Sequence, residues 1–342
     1  MWLVACGLLS ASLVIQTSYL GDVVLTTPLI AMLATRGPVD VVTTPAAAPL
    51  LAGNPDVRRV IPFDKRGSEG GIGGLWRMAK AIGPGRGAVA YCVQGSPRPA
   101  ALAALGGYRE RVGFDTSAGR WLYTRRVRYR ADQHHAERLL RLAVGDAAIV
   151  DRASLTPRLF PSAADADAVE RLLGASNAST DPLIALAPGS IWATKRWPGF
   201  PAVAAALRSQ ARIVIVGGAS DRELAATIVE AAPDAIDTTG RLSLLASAEL
   251  IRRAALLVTN DSLPQHLASA MGTRTLTIYG PTIPGFGFGP LAPHSTTAGH
   301  VSLTCRPCHP HGPAVCPLGH HLCMRDLAPD IVLARALTVL AA

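Results

Sequence analysis

From residue 12 onward the chain alternates short apolar runs with stretches of helical length, and few folds accept that rhythm. The apolar runs fall at 12–16, 39–43, 58–61, 88–93, 183–187, 212–216, 255–259 and 274–279. Helical patterns lie between them, at 22–35, 73–82, 97–105, 134–143, 164–173, 199–209, 221–231, 243–254 and 263–271. Strands that alternate with helices pair in parallel, because each helix carries the chain back for a neighbouring strand. Ligands of such sheets bind beyond the carboxyl ends of the strands. The pattern therefore predicts an α/β chain and says where to look for its chemistry.

The rhythm lapses over 144–182, which holds little strand pattern, and then resumes with its own strand–helix series. The predicted division is residues 1–155 and 156–342, two Rossmann-like domains facing a central cleft. After 281 Pro and Gly dominate as far as 319, and an amphipathic helix at 328–340 closes the chain. At 342 residues and 49% hydrophobic, the sequence can fill two cores. Its 33 Lys and Arg outnumber 24 Asp and Glu, a formal charge of +9, so an anionic partner is favoured: nucleic acid, an anionic membrane or a phosphorylated substrate. A bias toward arginine in the genome would give the same excess. The opening "MWLVACGLLSASLVIQTSYL" lacks the basic start of a signal peptide and is broken by Ser, Gly, Gln and Thr. It reads as a buried first strand running into a turn at Gly21, in a cytoplasmic chain with no transmembrane segment. Cys6 and Cys92 fall in apolar strands and read as core.

Asp22, in "TSYLGDVVLTTP", is the first charged side chain of the sequence. It stands at the carboxyl end of the first strand and opens a helix, as an N-cap or as a base for a bound substrate. The two roles compete, because bonds to backbone N–H groups weaken a carboxylate as a base. In "APGSIWATKRWP" a turn after a strand is followed by Ser190, Thr194, Lys195 and Arg196, hydroxyls and cations that suit a diphosphate. The GK[ST] order of a Walker A loop is absent. "VIVGGASDREL" offers Asp221 and Glu223 after a Gly-Gly turn, for a ribose or as plain helix caps. "LVTNDSLPQHLASAMG" places Asp261 and Ser262 before a helix whose free N–H groups can hold a phosphate. Basic loops around Lys65, Arg66, Arg120 and His135 suggest a polyanionic acceptor on the N-terminal half.

Together "LGDVVLTTP", "NPDV…VIPFDKRG", "VQGSPR", "RVGFDTSAGRWLY", "HHAERLL", "LAPGS…KRWP", "IVIVGG…D", "TGRLSLLASAELIRRAALLVTNDS…HLASAMGT" and "IYGPT" resemble the family 9 glycosyltransferases. These are ADP-heptose:lipopolysaccharide heptosyltransferases, and the type II branch is the nearest. The likeness runs from about 12 to 340. It implies the GT-B fold, an acceptor on the N-terminal domain and ADP-heptose on the C-terminal one, with the last helix packed back across the junction. It implies Asp22 as catalytic base and Lys195 on the donor diphosphate, with Ser190 and Thr194 beside it. Asp221 or Glu223 would meet the ribose or adenine side, Asp261 and Ser262 lie in the donor loop, and Lys65, Arg66, Arg120 and His135 would meet the anionic acceptor. The implied reaction is a single inverting displacement that needs no cofactor, run by a soluble enzyme at the cytoplasmic face of the inner membrane. The family usually has Gly after N-D-S, where this chain has Leu263.

"CRPCHPHGPAVCPLGHHLCM" sets Cys305, Cys308, Cys316 and Cys323 among histidines. The composition admits a structural zinc, but the spacing matches no standard finger, so thiols in a Pro-rich loop are the favoured reading, remote from catalysis. Two other classes are compatible with the bulk numbers. A basic zinc-containing nucleic-acid-binding protein would need a recognition helix or aromatic-basic interleaving, which the sequence lacks. A GT-B enzyme with another nucleotide-sugar or acceptor, such as an epimerase, differs only in its product.

Overall fold

The computed structural model describes residues 11–83, 85, 87–174 and 180–341; residues 1–10, with Cys6, lie outside them. The chain forms two compact units, Met1–Pro157 and Arg158–Ala342. Among the described residues no helix is long and apolar enough to cross a membrane.

In unit 1 the strands are β1 (Ser12–Gln16), β2 (Val39–Thr43), β3 (Arg59–Pro62), β4 (Val89–Cys92), β5 (Glu110–Phe114) and β6 (Arg125–Val127). The helices are α1 (Leu20–Ala34), α2 (Gly71–Ala81), α3 (Pro97–Leu105) and α4 (His135–Val144). The sheet is parallel, in the order β3-β2-β1-β4-β5-β6. β1 lies inside it, with Ser12 in register with Val39 on one side and Val89 on the other, and all five of its residues are buried. That explains an apolar run with no alternation. Crossovers of one hand put α1, which leads toward β2, and α2, which leads back to β4, on opposite faces. Accordingly α1 packs with α4 and α2 with α3.

Unit 2 repeats the plan with α5 (Ala163–Leu173), β7 (Leu183–Ala187), α6 (Phe200–Leu207), β8 (Arg212–Ile215), α7 (Arg222–Ala231), β9 (Ile236–Asp237), α8 (Leu244–Arg253), β10 (Leu256–Asn260), α9 (Leu263–Met271), β11 (Thr275–Tyr279) and β12 (Thr296–Gly299). A short α10 (Leu322–Arg325) and α11 (Pro329–Ala341) follow. The parallel order is β12-β11-β10-β7-β8-β9. Two doubly wound Rossmann-like units are thus present, as the alternation predicts.

Two local expectations are corrected. Helix α1 begins at Leu20, two residues ahead of the predicted start, so Asp22 is its third residue and Tyr19 is the N-cap. Gly21 lies inside that first turn and makes no left-handed bend. Within unit 2 the closing helix packs on α6, β10, β11 and β12, with Val332, Ala336 and Val339 in that core. Cys92 is fully buried in β4, and burial pushes its thiol up to about 12.

Candidate functional site

In unit 2, β7 has β8 on one side and β10 on the other, so the direction of winding reverses there. A crevice opens beyond the strand ends at such a switch point. The loops that flank it are 188–190 after β7 and 261–262 after β10, whose last residue is Asn260. Asn260 ties them together: its Nδ2 donates to the Pro188 carbonyl (2.7 Å), and its Oδ1 accepts the Trp197 N–H (3.1 Å). The Ser262 hydroxyl adds a bond to the Gly189 carbonyl (3.2 Å). Helix α9 starts at this place, with Ser262 as N-cap, Leu263 at its first position and Pro264 after it. Its positive end therefore faces the same loops. Leu263 sits in ordinary helical backbone, so a side chain there changes the space beside the helix start without straining the chain.

Lys195 and Asp261 meet at this point, each about 8% exposed. The Lys195 ammonium donates to Asp261 Oδ2 at 2.6 Å and to the Asp261 carbonyl at 3.2 Å. The Thr282 hydroxyl donates to the same Oδ2 at 2.7 Å. The Asp261 carboxylate is thus answered by a cation and a hydroxyl. Thr282, 1% exposed, follows β11 in the "GPT" stretch, and its position past a strand end was the one signal for it.

The Cys- and His-rich segment, read as remote, packs on this lysine. Thr194 donates its hydroxyl to the Pro313 carbonyl (2.6 Å), and His321 Nε2 lies 2.7 Å from the Thr194 carbonyl. Gly312 has φ +89°, and a Cβ there would lie 2.8 Å from Lys195 Cε. That φ favours glycine, and any larger residue would also push the Lys195 side chain aside. Cys305, Cys308, Cys316 and Cys323 are free thiols, and burial pushes Cys323 up to about 11. Among the described residues no three His, Cys, Asp or Glu side chains are gathered as a metal would need.

The other residues expected on the donor side are placed as follows. Asp221 accepts the Gly218 N–H on Oδ2 (2.9 Å) and lies over Gly189, where a Cβ would come within 2.5 Å of its carboxylate. It closes the Gly-Gly turn against the β7 loop. Glu223 is exposed in the first turn of α7. Ser190 is half-buried, and its carbonyl accepts Arg196 Nε (3.0 Å), which turns that cation back on its own loop.

In unit 1 the switch point falls between β1 and β4. Thr17, just past β1, donates to Gln94 Oε1 (2.8 Å), just past β4. Lys65 Nζ, past β3, donates to the Thr17 hydroxyl (3.1 Å), and Arg98, in the first turn of α3, donates to the Lys65 carbonyl (2.8 Å). Burial, then the charges of Arg66 and Arg98, lower the Lys65 pKa. None of these three cations forms an ion pair among the described residues. Arg98, within the "VQGSPR" stretch, joins the predicted residues by virtue of its helix start.

Asp22 accepts the Tyr19 N–H on Oδ2 at 3.3 Å, a long bond that leaves the carboxylate lightly held. Its Oδ1 lies 3.8 Å from His135 Nε2, at the start of α4. The side chains are 17% and 13% exposed, and the packing of α1 on α4 brings them together. Arg120 sits in a single 3-10 turn after β5 and stacks on Trp121, 4.8 Å from the ring centre. Its loop is pinned to the β4 loop by the Ala118 N–H to Gly95 carbonyl bond (2.8 Å). Asp22 with His135, and Lys65 with Arg98, are thus brought into pairs; the exposed Arg66 stands beside Lys65 in the same loop, and Arg120 stands in a loop of its own.

Residues 75–319 match the sequence profile of glycosyltransferase family 9 (heptosyltransferase). The chain belongs to that family. A lipooligosaccharide heptosyltransferase 2 of Campylobacter jejuni is 30% identical over 169 residues, which are 46% of this chain and 51% of that relative. In that match the chain spans about half the relative's length. Two solved structures share the fold over 97% of this chain and 98% of theirs, each 24% identical. They are a family 9 glycosyl transferase of Veillonella parvula (TM-score 0.83) and the E. coli ADP-heptose lps heptosyltransferase II (TM-score 0.76). The family 9 chain thus has two Rossmann-like units of GT-B type, each with a built rim at its switch point.

Proposed function

We propose that this family 9 chain is an inverting heptosyltransferase, which moves a heptose from ADP-heptose to the inner core of lipopolysaccharide. The observation that carries the proposal is the buried Lys195, fixed by Asp261 and Thr282 beside the start of α9 and beyond the central strand of unit 2. A fixed cation and a helix start are what a leaving diphosphate requires. The donor is assigned to residues 158–342 and the acceptor to residues 1–157.

Transfer joins an acceptor hydroxyl to the anomeric carbon while the bond to ADP breaks. Asp22, lightly held and next to His135, takes the proton from that hydroxyl, a step worth about 10²–10⁴-fold in rate. His135 orients the carboxylate. Charge that builds on ADP is met by Lys195 and the α9 N–H groups. A single carboxylate suffices for one displacement with inversion, whereas hydrolysis employs a pair. Lys65, Arg66 and Arg98, cations with no acid of their own, suit the phosphates and carboxylates of the acceptor core, and Arg120 extends the set. Asp221, Glu223 and Ser190 would bound the nucleoside side. No resident cofactor enters this scheme. Because the acceptor is lipid-borne, the enzyme would work in the cytoplasm as a peripheral protein of the inner membrane.

Calorimetry with ADP, UDP and GDP, followed by product analysis with ADP-heptose and a lipopolysaccharide inner-core acceptor, tests the proposal. Preferential ADP binding and a new glycosidic bond are expected. Tighter binding of UDP or GDP, or an altered sugar formed without acceptor, would sink it.

A further inference from the structure

One face of unit 1 is more apolar than a solvated surface needs to be. Helices α2 and α3 and the turn 120–122 pack side by side, α3 in the middle. Their inner residues, Met78, Leu102 and Ala103 among them, belong to one core cluster beneath the sheet, together with Tyr123. Outward, Ile72 is 82% exposed, Trp76 51%, Leu105 49% and Trp121 72%. Two tryptophans on one face are hard to explain as a solvated surface. An open groove between α2 and α3 is lined by Trp76, Lys80 and Leu105.

The charged groups stacked on the two tryptophan rings are all cations. Lys80 Nζ stands 4.7 Å over the Trp76 ring, and Arg120 and Arg126 lie 4.8 and 5.5 Å from the Trp121 ring. Residues 71–82, 97–106 and 117–128 contain no Asp or Glu. Tryptophan favours the level of lipid headgroups, Lys keeps its head in water above a buried stem, and each basic residue gains about 1 kcal/mol near an anionic leaflet. We infer that the outer face of α2, α3 and the 120–122 turn docks on the surface of an anionic phospholipid bilayer, with Ile72, Trp76 and Trp121 in the headgroup layer. The inference deepens the proposed function, since a lipid-borne acceptor gives the chain a reason to bind a bilayer, and it names the surface that does so.

The experiment is co-sedimentation of the full chain with vesicles of phosphatidylcholine alone and of equal parts phosphatidylcholine and phosphatidylglycerol. The variants are the double Ile72→Ser/Trp76→Ser and the single Lys80→Glu, all at exposed positions of α2. The wild type should bind the anionic vesicles and not the neutral ones, and the double variant should lose about tenfold or more in partition. Lys80→Glu should lose part of the affinity, and the loss should vanish at high salt. Transfer to a water-soluble, lipid-free acceptor should be the same in all forms, while transfer to an acceptor embedded in anionic vesicles should fall in the variants. Wild type that ignores anionic vesicles, or variants that bind as it does, would overturn the inference. So would concentration-dependent self-association of the wild type that the double variant abolishes, because the face would then join two copies. If vesicle binding follows the variants but no form transfers heptose to the soluble acceptor, the docking face stands and the heptosyltransferase proposal falls.

Discussion

Replacing Asp22 by Asn keeps the shape of the side chain and removes its power to take a proton. The expected result is turnover lowered by about 10²-fold or more with ADP affinity unchanged, read from steady-state kinetics and calorimetry. Near-normal turnover would reduce Asp22 to an acceptor for the Tyr19 N–H. Lys195→Ala should weaken ADP binding by about 1.5–3 kcal/mol, the range of a charge-assisted bond. It also leaves the Asp261 carboxylate buried without its cation, so thermal stability should drop as well. Adding Asp261→Ala should restore part of the stability and none of the ADP affinity; recovery of both would move the diphosphate elsewhere. Lys195 and Asp261 were legible one at a time as charged residues past strand ends. Their bond was not, because it links positions 66 apart and depends on Thr282 from a third loop.

Among the elements, the strands inside each sheet were the easiest to read, since burial on both faces gives an unbroken apolar run. The edge strands β6, β9 and β12, and β5 next to β6, carry fewer such residues: β5 opens with Glu110 and Arg111, β6 opens with Arg125 and Arg126, and β9 has two residues only. Local pattern therefore gave no sign of them. The start of α1 was also misplaced, because Gly21 and Asp22 read as a bend and a cap when both are helical. On α8, Glu249 bonds Arg252 at 2.7 Å and Arg253 at 2.9 Å, and Arg253 reaches Glu170 on α5 at 2.6 Å. The hydrogen bonds from Arg252 lower the Glu249 pKa, against the opposing effect of burial. A carboxyl whose folded pKa is depressed stabilises the fold fully above its ordinary value of 4.5, and loses that contribution as pH falls through the lower folded value. Glu249→Gln should thus cost about 1–3 kcal/mol near neutral pH, and the gap to wild type in chemical denaturation should close below about pH 4.5. A gap independent of pH would mean that the bonds, and not the charge, hold α5 to α8.

For the molecule as a whole, the formal charge of +9 meets an acceptor rich in phosphate and carboxylate in the proposed reaction. Exposed charges are screened over about 8–10 Å near physiological salt, so the acceptor KM should rise with ionic strength while ADP affinity at the buried Lys195 changes less. Acceptor kinetics indifferent to salt would remove the basic rim from substrate capture. The two-unit plan and the family likeness were legible across nearly the whole sequence, because each unit repeats the same local rhythm. The placement of the 305–321 segment on Lys195 was not, since nothing in a run of Pro, Gly, Cys and His says what it will cover. The Lys195–Asp261 pair also bears on the end of a catalytic cycle. When ADP departs, a buried lysine with no resident partner would be left as a bare cation in a poorly solvated place, and that cost would hold the product back. In the proposed reaction Asp261 would remove this brake by standing ready as the counter-ion, so that spent nucleotide could be exchanged for fresh donor without an interval of uncompensated charge.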